Sequence, residues 1–345
     1  SMPRMMRSLG EATRVPLVRP LVRPREATVS RRTLLILRLS VFVVACAFLW
    51  MRFSGDPGHA LALRNVLEKG ALPWATLVPV LALMVLNWGL EAWKWHWLMR
   101  PVQPIGYARA MAATVAGTSI GLITPNRVGE FAGRVLFLDP EHRIQGGFAT
   151  LLGSIAQFVV TLLVGGLLLG MGLWSPLEAS PVHVWRVLLW CALLIGLAAV
   201  FLYFNPKALA RLLLAVPGLW RFERHAHVLD AFTSAQLTRV FLLSLARYAV
   251  FTAQFCIVLG ALAQVPAMAA LRAVPVVFLL TTLVPTMALT ELGVRGSVAL
   301  AFIPGDAAGV LASTVLIWTI NLALPAIFGA VLLVLVRIRT TGEPA

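Results

Sequence analysis

Two short stretches place charged side chains beside helix-breaking residues inside an otherwise apolar chain. The first covers residues 124–134 and the second residues 284–296, and each has a proline, then a glutamate, then an arginine four residues after the glutamate. Irregular segments of this kind are tolerated in hydrocarbon only where protein or a water-filled cavity surrounds them. Interrupted segments at corresponding places in two halves of a chain are typical of a transporter's binding site. The two breaks are therefore the candidate functional centre.

The chemistry that these breaks favour is the binding of an anionic phosphate. A broken helix carries partial positive charge at its amino end, and a nearby arginine can bond a phosphate through two hydrogen bonds. The phosphate candidates are Arg127, Arg134 and Arg295, while Glu130 and Glu291 are expected to meet a cationic head group or a coupling proton, or to neutralise the arginines. Asn126 and Thr290 are candidate ligands that helix capping explains equally well. The expected hairpin hinges are Pro125, Gly129, Pro285 and Gly293.

The spacing of each glutamate and arginine also has a purely structural explanation. A glutamate four residues before an arginine forms a favourable pair on one helix face, worth roughly 0.2–0.5 kcal/mol. A charged side chain at the bilayer centre costs roughly 2.5–3.5 kcal/mol. Because the pair does not offset that cost, we expect these side chains to face a wet cavity. Weaker cavity candidates are Arg247 and three residues better explained by interhelical hydrogen bonding, Asn87, Gln157 and Asn321.

The composition is that of a polytopic all-α membrane protein. Of its 345 residues, 59% are hydrophobic and only 12% are charged, and the mean hydropathy is +0.87; soluble domains have about a quarter of their residues charged. The net charge of +15 comes from arginines that cluster at the ends of apolar runs, where the positive-inside rule and anionic lipid account for them. We therefore expect no nucleic-acid partner, and no cofactor or metal.

The order of apolar runs predicts about six full spans and two re-entrant hairpins. The spans are expected at about 34–50, from about 74 to the tryptophan-rich segment 88–97, and at 147–173, 184–204, 240–262 and 310–336. The hairpins are expected where the short stretches Ala108–Ile123 and Ala273–Leu283 meet the two breaks. Glu91, at the end of the second span, is either an interfacial residue or a cavity-facing acid. Eight plain spans are the competing topology.

The charge bias of the loops places both termini in the cytoplasm and gives the two halves opposite orientations, as an inverted 3+3 repeat requires. The expected domains are a basic, disordered cytoplasmic arm at 1–32, a single transmembrane domain at 33–339 and a tail at 340–345. Within the transmembrane domain, residues 33–204 form the first half, 205–239 a basic cytoplasmic link at the half boundary, and 240–339 the rest of the second half.

The tryptophan-rich end of the second span, the Gly129-Glu130…Arg134 break and the run Glu291–Arg295 together resemble a known family. They are similar to the transmembrane, flippase-type domain of lysylphosphatidylglycerol synthases, and the resemblance covers about residues 32–339. It implies a standalone member without the soluble aminoacyl-transfer domain, which is expected not to make the lipid. It also implies a lipid translocase of the bacterial cytoplasmic (inner) membrane, with phospholipids as partners and aminoacylated phosphatidylglycerol as the best-known cargo.

Other functions remain open at this point. A polyprenyl-phosphate or glycolipid carrier needs the same arginines as a phospholipid translocase. An accessory protein to a membrane glycosyl- or acyltransferase is a further alternative, as is a lipid-binding scaffold. An enzyme would need a catalytic acid, base or carboxylate-bound metal, and the compact polar cluster of Asp139, Glu141 and His142 is better explained as a solvated turn. We therefore expect a protein that is not an enzyme.

Overall fold

The computed structural model describes residues 73–122, 124, 127–170, 182–283 and 288–335, and these are helical with short connections. The basic arm, the first expected span at 34–50 and the tail lie outside the described residues. So do Pro125, Asn126 and Pro285, together with the side chains of Thr290 and Glu291. The predicted hinge roles of the two prolines and the predicted ligand role of Asn126 therefore stay predictions.

Twelve α-helices make up the described part of the chain. They are α1 (Trp74–Leu98), α2 (Tyr107–Leu122), α3 (Gly129–Val135), α4 (Arg143–Gly170), α5 (Val182–Phe204), α6 (Pro206–Leu214), α7 (Glu223–Ala226), α8 (Ser234–Ala263), α9 (Ala267–Leu283), α10 (Ala288–Phe302), α11 (Ala307–Trp318) and α12 (Leu324–Leu335). A π-helical turn, Thr319–Ala323, joins α11 to α12. Single 3₁₀ turns occupy Pro140–His142, Leu219–Phe222 and His227–Ala231.

Four helices in the described part are long and apolar enough to cross a membrane: Trp74–Leu98, Pro140–Leu168, Ser234–Ala263 and Ala307–Leu335. At 1.5 Å per residue, even the shortest of them exceeds the roughly 30 Å thickness of a bilayer's hydrocarbon core. A fifth candidate combines the end of α5 with α6, which are bent by 103° at Asn205. The all-helical fold is thus compatible with a multi-pass membrane protein, while the six-span count and the inverted repeat stay predictions.

The first break folds back on the helix before it. Helix α3 has seven residues, about 10 Å of rise, which is too short to cross a bilayer. It runs antiparallel to α2, and a Cβ added at Gly133 would lie 2.6 Å from the Cα of Gly117. Only glycines permit backbones to approach this closely. This hairpin-like pair lies where the first hairpin was predicted, and its re-entry into a membrane stays a prediction.

The turn between α2 and α3 is closed by local contacts. Thr124 accepts a hydrogen bond from the backbone N–H of Gly129 (2.8 Å) through its hydroxyl oxygen. Arg127 has a φ of 57°, in the left-handed region that non-glycine residues rarely adopt. Such a residue costs about 1–2 kcal/mol. The first N–H of α3 thus meets the Thr124 side chain, and α3 begins at Gly129, whose role as a hinge stays a prediction.

Helix α8 lies at the centre of the bundle and packs against α1, α4, α9 and α11. Helices α9 and α10, which flank the second break, contact each other. Both are shorter apolar segments than the four candidate spans. Residues 284–287 between them lie outside the described part. A re-entrant second hairpin therefore stays a prediction.

Candidate functional site

A cavity of about 200 Å³ lies among α1, α4, α8, α9, α10, α11 and the π-helical turn that follows α11. Its lining residues come from the middle of each candidate span, such as Asn87 in α1, Gln157 in α4 and Tyr248 in α8. The cavity therefore occupies the interior of the bundle at the level of the span centres. It is the place where a polar ligand would be surrounded by protein rather than by lipid.

Three arginines from separate segments line this cavity: Arg127 from the first break, Arg247 from α8 and Arg295 from α10. None of the described side chains that line it is acidic. Arg127 and Arg295 were predicted as phosphate candidates from the two breaks, and Arg247 was a weaker candidate. The structure thus places residues from both breaks at one cavity, although they are far apart in the chain.

Aromatic side chains also line the cavity. Phe278 of α9 stacks on Phe251 of α8, with ring centroids 4.9 Å apart and planes at 12°. Tyr248 meets Phe278 edge to face at 5.7 Å. Trp88, Phe255 and Trp318 complete this surface. The cavity lining therefore combines cationic and aromatic side chains.

Buried polar atoms at the cavity are left without partners. The hydroxyl of Tyr248 and the indole Nε1 of Trp88 find no hydrogen-bond partner among the described residues, and each side chain is 6% exposed. The Oε1 atom of Gln157 is likewise buried and unpartnered in that part of the structure. An unsatisfied buried polar group costs about 1–3 kcal/mol. Two donors and one acceptor on residues that line the cavity thus have no described hydrogen-bond partner.

Glu91 of α1 joins three cations beside the cavity. Its Oε1 accepts from Nη1 of Arg134 (2.8 Å), and its Oε2 lies 2.7 Å from Nζ of Lys94 and 2.9 Å from Nη1 of Arg247. The Glu91 residue is 3% exposed. Glu91 was predicted to be an interfacial residue or a cavity-facing acid. In the structure its carboxylate is instead an internal ion-pair partner. Lys94 is 2% exposed and belongs to the same cluster.

Arg134 lies behind the cavity rather than on its surface. It is 5% exposed and forms ion pairs with both Glu91 and Glu130. Glu130 also lies 3.9 Å from Nε of Arg127. The glutamate and arginine four residues apart in α3 therefore do form the predicted helical pair. In this arrangement Glu130 neutralises arginines, which was one of the roles expected of it.

A chain of amides extends the cluster across the bundle. Nε of Arg247 donates to Oδ1 of Asn87 (3.0 Å), and Nδ2 of Asn87 donates to Oδ1 of Asn321 (3.3 Å). Nδ2 of Asn321 in turn donates to Oε1 of Gln254 (2.8 Å), whose Nε2 donates to the Val80 carbonyl (2.8 Å). Asn87 and Asn321 thus make the interhelical hydrogen bonds expected of them. Asn321 lies in the π-helical turn, and such turns occur frequently at functional sites.

The remaining predicted residues lie as follows. Gly293 is in α10, two residues before Arg295, inside the helix rather than at its start. Asp139, Glu141 and His142 place potential ligand atoms within 4.8 Å of one another. Asp139 is held there by Gln103, which donates to its carboxylate (2.6 Å) and accepts from its N–H (2.9 Å). This cluster is in the 3₁₀ turn between α3 and α4, away from the cavity.

Comparison of the chain with protein-family models and with curated proteins finds no match. The resemblance to the flippase-type domain therefore rests on the quoted motifs alone. The arginine-lined cavity is the feature of the fold that bears most directly on function.

Proposed function

We propose that this protein is a lipid translocase that moves the head group of a phosphate-bearing lipid between leaflets through the arginine-lined cavity. The observation that carries the proposal is the meeting of Arg127, Arg247 and Arg295 at one cavity in the bundle interior, with no acidic group among its described lining residues. The resemblance to the flippase-type domain supports the same function. The proposal includes a bacterial inner-membrane location, cytoplasmic termini, the inverted repeat and no enzymatic step.

The free-energy cost of inserting charged arginines into a membrane favours the binding of an anionic ligand. Each charged side chain at the centre of a span costs roughly 2.5–3.5 kcal/mol to insert. An anion in the cavity offsets part of this cost through charge-assisted hydrogen bonds, which contribute about 1.5–3 kcal/mol each. Arginine suits phosphate because its planar donors match two phosphate oxygens at once. A cavity with this lining therefore favours a phosphate over a neutral or cationic group.

The size of the cavity supports a lipid head group as the ligand. Its volume of about 200 Å³ is little more than the 150 Å³ cavity that holds one benzene molecule in another protein. A phosphate with a small substituent fits in this volume. The tails would stay in the surrounding hydrocarbon while the head group crosses among the helices, with the aromatic side chains of Phe251, Phe278 and Tyr248 meeting the apolar end of the head group.

The experiment that tests this function is head-group translocation in proteoliposomes. A fluorescent phosphate-bearing lipid is placed in both leaflets, and its accessibility to an external quencher is followed over time. Arg247→Gln and Arg295→Gln should each slow translocation about tenfold or more, because one charge-assisted contact is lost. Arg272→Gln is the matched control, since Arg272 lies exposed on α9 and does not line the cavity. Wild-type rates in both cavity variants would refute the proposal.

A further inference from the structure

The charges at the site do not cancel. Five cationic side chains belong to it, namely Lys94, Arg127, Arg134, Arg247 and Arg295. The acidic side chains of the site are Glu91 and Glu130. Glu291 is counted as a third because it precedes Arg295 by four residues in the sequence. Counted over the described side chains and Glu291, the site therefore keeps two positive charges. The side chains of Arg127 and Arg247 are 34% and 25% exposed, so water screens part of this excess, and an anion that enters the cavity is attracted by the rest.

The described acidic side chains of the site pair with its cations and do not line the cavity. Glu91 is enclosed by Lys94, Arg134 and Arg247. Glu130 faces Arg134 and Arg127. Neither belongs to the cavity lining. An ammonium group on a head group would therefore meet three arginines and no acidic side chain among the described lining residues of the cavity, so an aminoacylated or choline-bearing lipid is disfavoured by charge.

We infer that the cavity is built for a lipid phosphate monoester, whose terminal phosphate carries up to two negative charges and no cationic group. This inference rests on the proposed function and specifies its cargo. A phosphate monoester has a second pKa of about 6 and is close to a dianion at neutral pH, which matches the excess of two charges. A phosphodiester carries only one charge. The monoester also offers three terminal oxygens, enough to accept from the cavity arginines and from the unpartnered donors of Tyr248 and Trp88.

The test is a binding measurement on the full chain in a neutral maltoside detergent. Three amphiphiles with the same dodecyl tail are compared: dodecyl phosphate, methyl dodecyl phosphate and dodecylphosphocholine. At pH 7.5 we expect the monoester to bind about tenfold more tightly than the diester, since one more charge is satisfied. The phosphocholine should bind most weakly. Melting temperature and a competition Kd provide two independent readouts.

Lowering the pH gives a second readout that needs no variant. Between pH 7.5 and 5.5 the monoester gains a proton and its advantage over the diester should largely disappear. The diester does not titrate in that window, so it controls for any change in the protein itself. Arg247→Gln and Arg295→Gln should each reduce the monoester's advantage at pH 7.5, and Arg272→Gln should retain it.

The outcomes separate this inference from the function on which it rests. Equal affinity for monoester and diester, or an advantage that does not depend on pH, overturns the monoester assignment while leaving an anionic lipid as the cargo. Tightest binding of the phosphocholine overturns it in favour of a head group that carries a cation. Absence of binding by all three amphiphiles, together with no translocation in proteoliposomes, overturns the proposed function as well.

Discussion

Replacing Glu91 by glutamine should destabilise the fold more than any other single change to an acid in the described chain. The carboxylate contacts Arg134, Lys94 and Arg247 at 2.7–2.9 Å, and it is nearly inaccessible. Glutamine keeps the shape and one acceptor oxygen but removes the charge. Lys94 and Arg247, which share one carboxylate oxygen, would then repel each other in a low-dielectric interior.

The size of the expected destabilisation follows from the cations that the Glu91→Gln substitution leaves unpaired. Leaving a buried ion without its partner typically costs about 3–5 kcal/mol, which is a large share of the 5–15 kcal/mol that stabilises most folds. The melting temperature should therefore drop on the order of 10 °C. Glu130→Gln should cost less, because its side chain is 21% exposed and Arg134 keeps its contact with Glu91.

The measurement is thermal unfolding in detergent, followed by intrinsic tryptophan fluorescence. Glu141→Gln is the control, since this glutamate is 70% exposed in the turn before α4. The double variant Glu91→Gln/Lys94→Met should recover part of the loss, because it removes one of the stranded cations. A melting temperature within 1–2 °C of wild type for Glu91→Gln, on the scale of about 2–4 °C per kcal/mol, would refute the ion-pair reasoning.

Two further predictions concern packing and the unpartnered donors. Gly133→Ala should destabilise the protein by about 1–3 kcal/mol through overpacking, because its new Cβ would lie 2.6 Å from the Cα of Gly117. Gly147→Ala, whose Cβ meets no atom within 4 Å, should be neutral or stabilising by up to about 1 kcal/mol; equal melting temperatures would contradict the close-packing argument. Tyr248→Phe removes a buried hydroxyl that has no described partner, so stability should stay level or rise, while dodecyl phosphate binding should weaken about five- to tenfold. Unchanged binding would show that this hydroxyl does not meet the ligand.

The sequence reveals the first break because its signal is local. The proline, the glycines and the Glu130–Arg134 spacing lie within eleven residues, and both the turn and the helical pair follow from them. The small residues of α2 predict close helix packing, and Gly117 does contact the facing helix. Four of the expected spans also appear, because each needs only a long run of apolar residues.

The centre of the site depends on contacts that no local pattern contains. Arg134 meets Glu91 across 43 residues and Arg247 meets Asn87 across 160. Which helices become neighbours is decided by packing over the whole bundle, so Arg247 appeared only as a weak candidate. Glu91 and Lys94 are followed by aromatic residues typical of a membrane interface, and this context concealed their burial. The three-residue spacing of Glu91 and Lys94, which places both on one helix face, was the sequence signal for their ion pair.

The carboxylate of Glu91 also limits how the protein can move. Its ion pairs link α1 to α8 and to the α2–α3 pair. Separating these segments would expose opposite charges to an apolar medium. By contrast, α9 meets α8 through aromatic rings such as those of Phe251 and Phe278. Under the proposed translocase function, we expect α9 and α10 to move relative to α1, α8 and the α2–α3 pair. The phosphate of the cargo would then be bound by Arg295 from the moving helices and by Arg127 and Arg247 from the stationary ones.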